Sequence, residues 1–165
     1  MAAIALTAAG MGAVAFRRSF RAARVRMAAR EIVALGRYAR ASAVLEERTS
    51  RLRFDLAAGR IELQRARPEP PGEAPPLDEE PHPLLLAERP ETFERAETPR
   101  ALPEGVRIAR FEGGRRPEDD TGDIRLLRFH PSGLSDDATI EIEDNAGRRL
   151  LLELDGNSGR WKVGS

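Results

Sequence analysis

Few side chains in this 165-residue sequence have the type and spacing that catalysis or metal binding requires. Its two histidines, His82 and His130, have no second ligand nearby at metal-binding spacing. There is no cysteine, which excludes a thiolate nucleophile, a thiolate ligand and a disulfide. The acidic pairs Glu79-Glu80 and Asp119-Asp120 stand in loop-like sequence with no nucleophile or base placed beside them.

The segment Asp155-Gly156-Asn157 has the beginning of a calcium-binding loop, but the other ligands and the closing glutamate are missing. Turn formation explains these residues better. The sequence also lacks a glycine-rich phosphate loop and a serine, histidine and aspartate set. We therefore predict that the protein is not an enzyme and holds neither a cofactor nor a metal.

A basic and aromatic segment near the C-terminus, Arg160-Trp161-Lys162, is a candidate contact for nucleic acid. Arg160 and Lys162 share one face of a strand and could meet successive phosphates, and an exposed Trp161 could stack on a base. Residues 67–165, however, carry 14 basic and 22 acidic side chains, a net charge of −8 that repels a polyanion. DNA binding is therefore the alternative and not the favoured function.

A long helix must position the rest of the chain. Residues 1–16 are uncharged, whereas arginines interleave with apolar residues from Arg17 onwards. Good helix formers dominate and the first proline is Pro68, so we predict one helix over Ala2 to Glu47. Residues 1–16 are its apolar part and residues 17–47 its amphipathic continuation. The larger apolar side chains of the first part are Ile4, Leu6, Met11, Val14 and Phe16.

Apolar residues recur along the second part at steps of three, four or five. We expect this face to pack on a sheet through Phe20, Met27, Ile32, Leu35 and Ala39. Residues 1–66 hold 13 arginines and 5 acidic residues, a net charge of +8. These arginines can lie in solvent or meet lipid headgroups or acidic partners, and the sequence leaves these alternatives open.

The uncharged run fits neither an ordinary membrane span nor a signal peptide. Its sixteen residues are fewer than the roughly 20 that cross a bilayer. A signal peptide would begin with a basic region, which is missing, and the helical pattern continues past Phe16 without a break. By the positive-inside rule, the arginines after Phe16 would hold that side in the cytoplasm.

Alternating apolar residues predict strands after the helix. Residues 48–66 form a hairpin that buries Leu52, Phe54, Leu56, Ile61 and Leu63 on one face. Residues 67–104 contain ten of the twelve prolines among many acids, which predicts an extended or mobile loop. Its apolar cluster at 83–87 can dock back on the body.

Residues 105–165 predict a further set of antiparallel strands joined by turns. The expected strands are Val106–Phe111, Ile124–Phe129, Thr139–Glu143, Arg148–Leu154 and Arg160–Val163. Helix and strands are segregated along the chain, so the fold class is α+β, with a long N-terminal helix packed on a mostly antiparallel sheet.

Several segments, taken in order, carry a family resemblance. The helix contains RMAARE at 26–31 and LGRYARASAV at 35–44, and Leu52-Arg53-Phe54-Asp55 precedes Gly59. Phe129 to Gly133 is an aromatic-x-Pro-x-Gly turn, and Gly159 to Val163 closes the chain. Residues 17–65 and 124–163 thereby resemble the minor pseudopilin H family of type II secretion systems, which shares a domain type with certain type IV minor pilins.

The resemblance implies a type IV pilin-like fold and a structural role in assembling or capping a periplasmic pseudopilus for protein export. It implies that residues 1–16 first span the inner membrane once, with the C-terminal domain in the periplasm, and then pack among helices of other pseudopilins. A secreted substrate is a further candidate partner. The alternative is a type IV minor pilin that contacts DNA through Arg160, Trp161 and Lys162.

One feature of that family is missing. Its members begin with a short basic leader and a Gly-Phe-Thr-Leu-x-Glu site, the methylated prepilin-type N-terminus, and this sequence has neither. We expect that the true start lies upstream of Met1; the alternative is a protein that has lost its processing site. The added residues would restore the length of the span, and the basic leader would restore its orientation signal.

Overall fold

A computed structural model describes residues 2–68, 91–117 and 122–164, with side chains described from residue 23 onwards. One helix, α1 (Ala2–Leu45), precedes nine strands. The strands are β1 (Ser50–Asp55), β2 (Arg60–Ala66), β3 (Phe93–Arg95), β4 (Arg100–Ala101), β5 (Val106–Gly113), β6 (Ile124–Phe129), β7 (Ala138–Asp144), β8 (Arg149–Asp155) and β9 (Arg160–Gly164).

The strands form two antiparallel sheets rather than one. The hairpin sheet has the order β3-β2-β1-β6, with β4 also pairing with β2, and the C-terminal sheet has the order β5-β7-β8-β9. The sheets are joined where the chain leaves β5, because Arg115 pairs with Leu126 of β6. The predicted α+β class, a helix on antiparallel strands, is confirmed.

The helix ends two residues before the predicted Glu47. Glu47 has a positive φ of 52°, and the backbone N–H of Arg48 donates to the carbonyl of Ala43. A left-handed residue followed by such a hydrogen bond is a common way to close a helix and to satisfy its last carbonyls. Among the described residues, no helix is both long and apolar enough to cross a membrane.

The predicted loop at 67–104 contains two short strands. β3 pairs with the end of β2 and β4 with its beginning, so residues 93–101 run back along the edge of the hairpin sheet. Backbone pairing with an existing strand organises this segment even though its composition resembles that of a loop. The predictions for Glu79-Glu80, His82, the cluster at 83–87 and Asp119-Asp120 lie outside the described residues.

The core lies between α1 and both sheets. Ile32, Leu35 and Ala39 are buried there, as expected from the helical period. Met27 is 55 % exposed, so the prediction that it packs on the sheet is wrong. It precedes Ile32 by five residues, which turns it about 140° away around the helix. The side chain of Phe20 lies outside the described part. The other buried apolar residues of the helix are Val25, Ala28, Ala29, Val33 and Ala43.

Candidate assembly surface

The solvent-facing side of α1 carries an apolar stripe. Met27 is 55 %, Tyr38 46 % and Leu45 82 % exposed. They stand eleven and seven residues apart, about three turns and two turns, so the three side chains line up along the helix. Exposed alanines fill the positions between them. We call this set the helix stripe: Ala23, Met27, Ala34, Tyr38, Ala41 and Leu45.

Arginines border the helix stripe on one side. Arg26, Arg30 and Arg37 are all exposed and, by the helical period, lie on the same flank of the stripe. An apolar seam with a charged border is the pattern with which helices associate, because the seam is buried and the border stays hydrated. The helix stripe can thus pack against the apolar face of another helix. The arginines favour a partner helix that carries acidic residues beside that face.

Tyr38 is fixed in place by the hairpin sheet. Arg65 of β2 donates from Nη2 to the Tyr38 hydroxyl at 3.2 Å, and its guanidinium carbon lies 6.0 Å from the centre of the ring. Arg65 is itself paired with Glu46, with 3.3 Å between Nη1 and Oε1. Such a tyrosine loses little side-chain entropy when a partner covers it.

The opposite face of the helix is held down by Trp161. A β-carbon placed on Gly36 would lie 2.6 Å from Cζ2 of Trp161, so the indole ring rests directly on the helix backbone. Trp161 is half-buried and packs against the core. It therefore does not present its ring as a platform for a base. Its indole N–H, Nε1, is buried and has no hydrogen-bond partner among the described residues.

Arg160 and Lys162 point away from Trp161 and are exposed on β9, as the strand period requires. They line a shallow depression together with four acidic residues, Glu112, Asp137, Glu153 and Asp155. The backbone N–H of Ser158 lowers the pKa of Asp155, and its hydroxyl, the N–H of Asn157 and the charge of Lys162 act in the same direction. This surface therefore carries ionised carboxylates that repel phosphates.

The uncharged first part of α1 precedes the helix stripe on the same helix. Ile4, Leu6, Met11, Val14 and Phe16 lie on helical backbone that is unbroken as far as Leu45. Their side chains are outside the described part, so their place in a membrane or filament stays a prediction.

Sequence reasoning missed the helix stripe. It assigned Met27 to the buried face and gave no role to Tyr38 or Leu45. The signal was present in the spacing of these residues, but a helix with apolar residues on two faces does not reveal which face the sheet will cover.

The fold was compared with solved structures. Two structures of the minor pseudopilin EpsH from the type 2 secretion system of Vibrio cholerae align with most of the chain. One has a TM-score of 0.55 at 11 % identity and covers 85 % of this chain and 95 % of that one. The other has a TM-score of 0.57 at 13 % identity, with 86 % and 94 % covered.

This chain has the fold of a minor pseudopilin. The alignment to this pseudopilin fold leaves out only a small share of either chain. No protein-family model matches the sequence. A search of curated proteins returned no match either.

Proposed function

We propose that this protein is a minor pseudopilin that assembles with other pseudopilins into, or at the tip of, a type II secretion pseudopilus. The observation that carries the proposal is the helix stripe, an apolar seam on the outward face of a helix whose other face is already covered by its own sheets. The likeness of the fold to EpsH supports it.

The helix stripe supplies a physical reason to assemble. A large apolar side chain contributes about 1.5–3 kcal/mol when it passes from water to full burial. Covering Met27, Tyr38 and Leu45 would therefore contribute several kcal/mol before the cost of association is subtracted. The small alanines between them allow a partner helix to approach closely.

Residues 2–16 belong to the same helix as the helix stripe. We propose that they lie in the inner membrane before assembly, with the sheets in the periplasm, and pack among other helices afterwards. Their lack of charge suits both surroundings. We propose a secreted protein as the second partner of the assembled tip, in keeping with an export role.

The protein contains no cysteine, which makes single-cysteine cross-linking the direct test. Met27→Cys, Ala34→Cys and Leu45→Cys place one thiol each along the helix stripe. Each variant is co-expressed with the pseudopilins of the same secretion system, also carrying single cysteines in their helices, and oxidised in the membrane fraction. We expect disulfide-linked heterodimers for the stripe positions.

Val163→Cys is the matched control, because Val163 is 56 % exposed on β9 and lies outside the helix. Cross-linking at Val163 to the same extent as at Met27 would show that the other pseudopilins do not bind preferentially at the helix stripe. If none of the three stripe positions forms a heterodimer with any pseudopilin, the proposed function is wrong.

DNA uptake remains the competing function, and the geometry of the described residues does not favour it. Trp161 lies against Gly36, and the two basic residues beside it stand among four carboxylates.

A further inference from the structure

The face of the hairpin sheet that points away from the helix concentrates positive charge. Arg51 and Arg53 lie on this face of β1, and Arg128 of β6 stands directly opposite Arg51 in the antiparallel register. All three are half-buried. We call these residues the arginine face. Like charges placed opposite each other on neighbouring strands destabilise a sheet by about 0.2–1 kcal/mol, so the arrangement is costly unless opposite charge neutralises it.

An aromatic ring organises two of the guanidinium groups. The guanidinium carbon of Arg51 lies 3.7 Å from the centre of the Phe93 ring, and that of Arg128 lies 5.7 Å from it. Arg51 also donates from Nε to the side-chain oxygen of Gln64 at 2.7 Å. Stacking on Phe93 and this hydrogen bond hold the planar groups in place while leaving donors free.

The acidic residues nearby balance this charge only in part. Glu62 stands opposite Arg53 in the register of β1 and β2. Glu62 is engaged by Arg95 at 2.7 Å, and Glu91 accepts a hydrogen bond from Thr49 at 2.7 Å. Within the described ranges, no carboxylate forms a salt bridge with Arg51, Arg53 or Arg128. Burial, together with the charges of Arg128 and Arg53, lowers the pKa of Arg51 and outweighs the opposite effect of Glu62 and Glu91. The Nε of Arg128 is buried without a hydrogen-bond partner among the described residues.

We propose that the arginine face binds an extended acidic peptide segment of a partner protein, with its carboxylates on the guanidinium groups of Arg51, Arg53 and Arg128. The spacing fits such a ligand. Arg51 and Arg53 are two residues apart on one strand, so their side chains leave the sheet about 6.6 Å apart. Acidic residues at alternate positions of an extended segment repeat at the same distance, and guanidinium groups bind carboxylates bidentately.

A peptide fits this face better than a phosphate or a lipid surface does. A single phosphate offers one charged group, whereas alternate carboxylates of an extended segment repeat at the spacing of Arg51 and Arg53 along β1. Lipid headgroups bind side chains that project from a surface, whereas Arg51 and Arg128 are half-buried beside Phe93. The proposal is independent of the helix stripe, which lies on the other side of the hairpin sheet.

The test measures binding of a fluorescent peptide with glutamates at alternate positions, Glu-Thr-Glu-Thr-Glu, to the full chain by anisotropy. We expect binding that weakens as salt is raised and that is lost when the glutamates are replaced by glutamine. Arg128→Gln and Arg53→Gln should each weaken binding about tenfold. Arg160→Gln, which makes the same charge change on the other sheet, should leave binding unchanged.

Stability separates a binding role from a structural one. Arg128→Gln removes one member of an opposed pair of like charges, so it should leave the melting temperature equal or higher while binding falls. A lower melting temperature with unchanged peptide binding would show that Arg128 is structural and would overturn the proposal.

Parallel experiments test the other candidate ligands of the arginine face. Inorganic phosphate that competes with the peptide at equal concentration, or anionic lipid vesicles whose binding falls with Arg128→Gln while the peptide fails to bind, would overturn it. Peptide binding that appears only after residues 69–90 are deleted would show that the chain's own acidic segment competes for the arginine face. That outcome would also overturn the proposal. None of these outcomes bears on cross-linking at the helix stripe.

Discussion

The side chain of Arg40 occupies the space that a β-carbon on Gly159 would take. Such a carbon would lie 2.4 Å from Nε of Arg40, and the same Nε donates to the carbonyl of Gly133 at 2.8 Å. Arg40 thereby joins the helix to two turns of the strand region, one after β6 and one before β9. These contacts join residues that are far apart in sequence.

Gly159→Ala should destabilise the protein more than Gly59→Ala. The two glycines have nearly the same backbone conformation, with φ of 62° and 59°, so an alanine pays the same strain of about 1–2 kcal/mol at either position. Only Gly159 faces Arg40, whereas a β-carbon on Gly59 meets nothing within 4 Å. We expect a further loss of about 1–3 kcal/mol at Gly159, measured by urea unfolding. Equal losses would mean that Arg40 moves aside at no cost.

Gly36→Ala should also destabilise the protein, because its methyl group would meet the indole of Trp161. Helix propensity alone favours alanine over glycine by about 1 kcal/mol. A loss of stability would therefore have to come from the contact with Trp161. Gly164→Ala is the control, since a β-carbon there meets only Leu151 at 3.9 Å. Trp161→Phe should relieve much of the loss in the double variant. A stabilised Gly36→Ala protein would contradict this packing.

The two faces of the helix should respond differently to truncation. Ile32→Ala removes a side chain that is 0 % exposed and should cost about 2–5 kcal/mol in the free energy of unfolding. Met27→Ala should change it by less than about 0.5 kcal/mol. The Ala34→Cys variant is cross-linked to other pseudopilins as above. Adding Met27→Glu to it should reduce the yield of the cross-linked heterodimer without lowering the melting temperature. Loss of stability on Met27→Ala would instead place Met27 in the core.

Stability should fall in acid. Burial opposes ionisation of Glu62, but hydrogen bonds from Arg95 and Gln64 outweigh it, so its pKa lies below the ordinary value of 4.5. In the same way, burial of Asp144 is outweighed by hydrogen bonds from Arg148 and Ala146, which lower its pKa. A carboxylate with a lowered pKa stabilises the fold above its unfolded pKa, and this contribution is lost as the pH falls through the folded value.

Glu62→Gln is the variant that tests this dependence. It should lower the melting temperature near neutral pH, by the equivalent of about 1 kcal/mol, and the difference from the parent protein should shrink in acid, as the pH falls below the ordinary glutamate value of 4.5. Glu153→Gln, at an exposed position, should show no difference at either pH. A difference in melting temperature between Glu62→Gln and the parent protein that grows in acid would contradict this prediction.

The sequence by itself determined the helix and most strands. The predicted and observed bounds of Ile124–Phe129 coincide, and the other predicted strands differ by one or two residues at their ends. These elements follow from local period, because alternation along a strand and the 3.6-residue helical repeat are properties of neighbouring residues. The same period placed Ile32, Leu35 and Ala39 on one face, and that face is buried.

The tertiary structure decided what local patterns leave open. It placed Met27 in solvent and Trp161 on Gly36, divided the strands into two sheets, and set Arg128 opposite Arg51. Each of these depends on which distant segments meet. A helix with apolar residues on two faces can bury only one against its own sheets, and the contact of Arg40 with Gly159 lies at the side that is buried. The face left over is the one available to a partner.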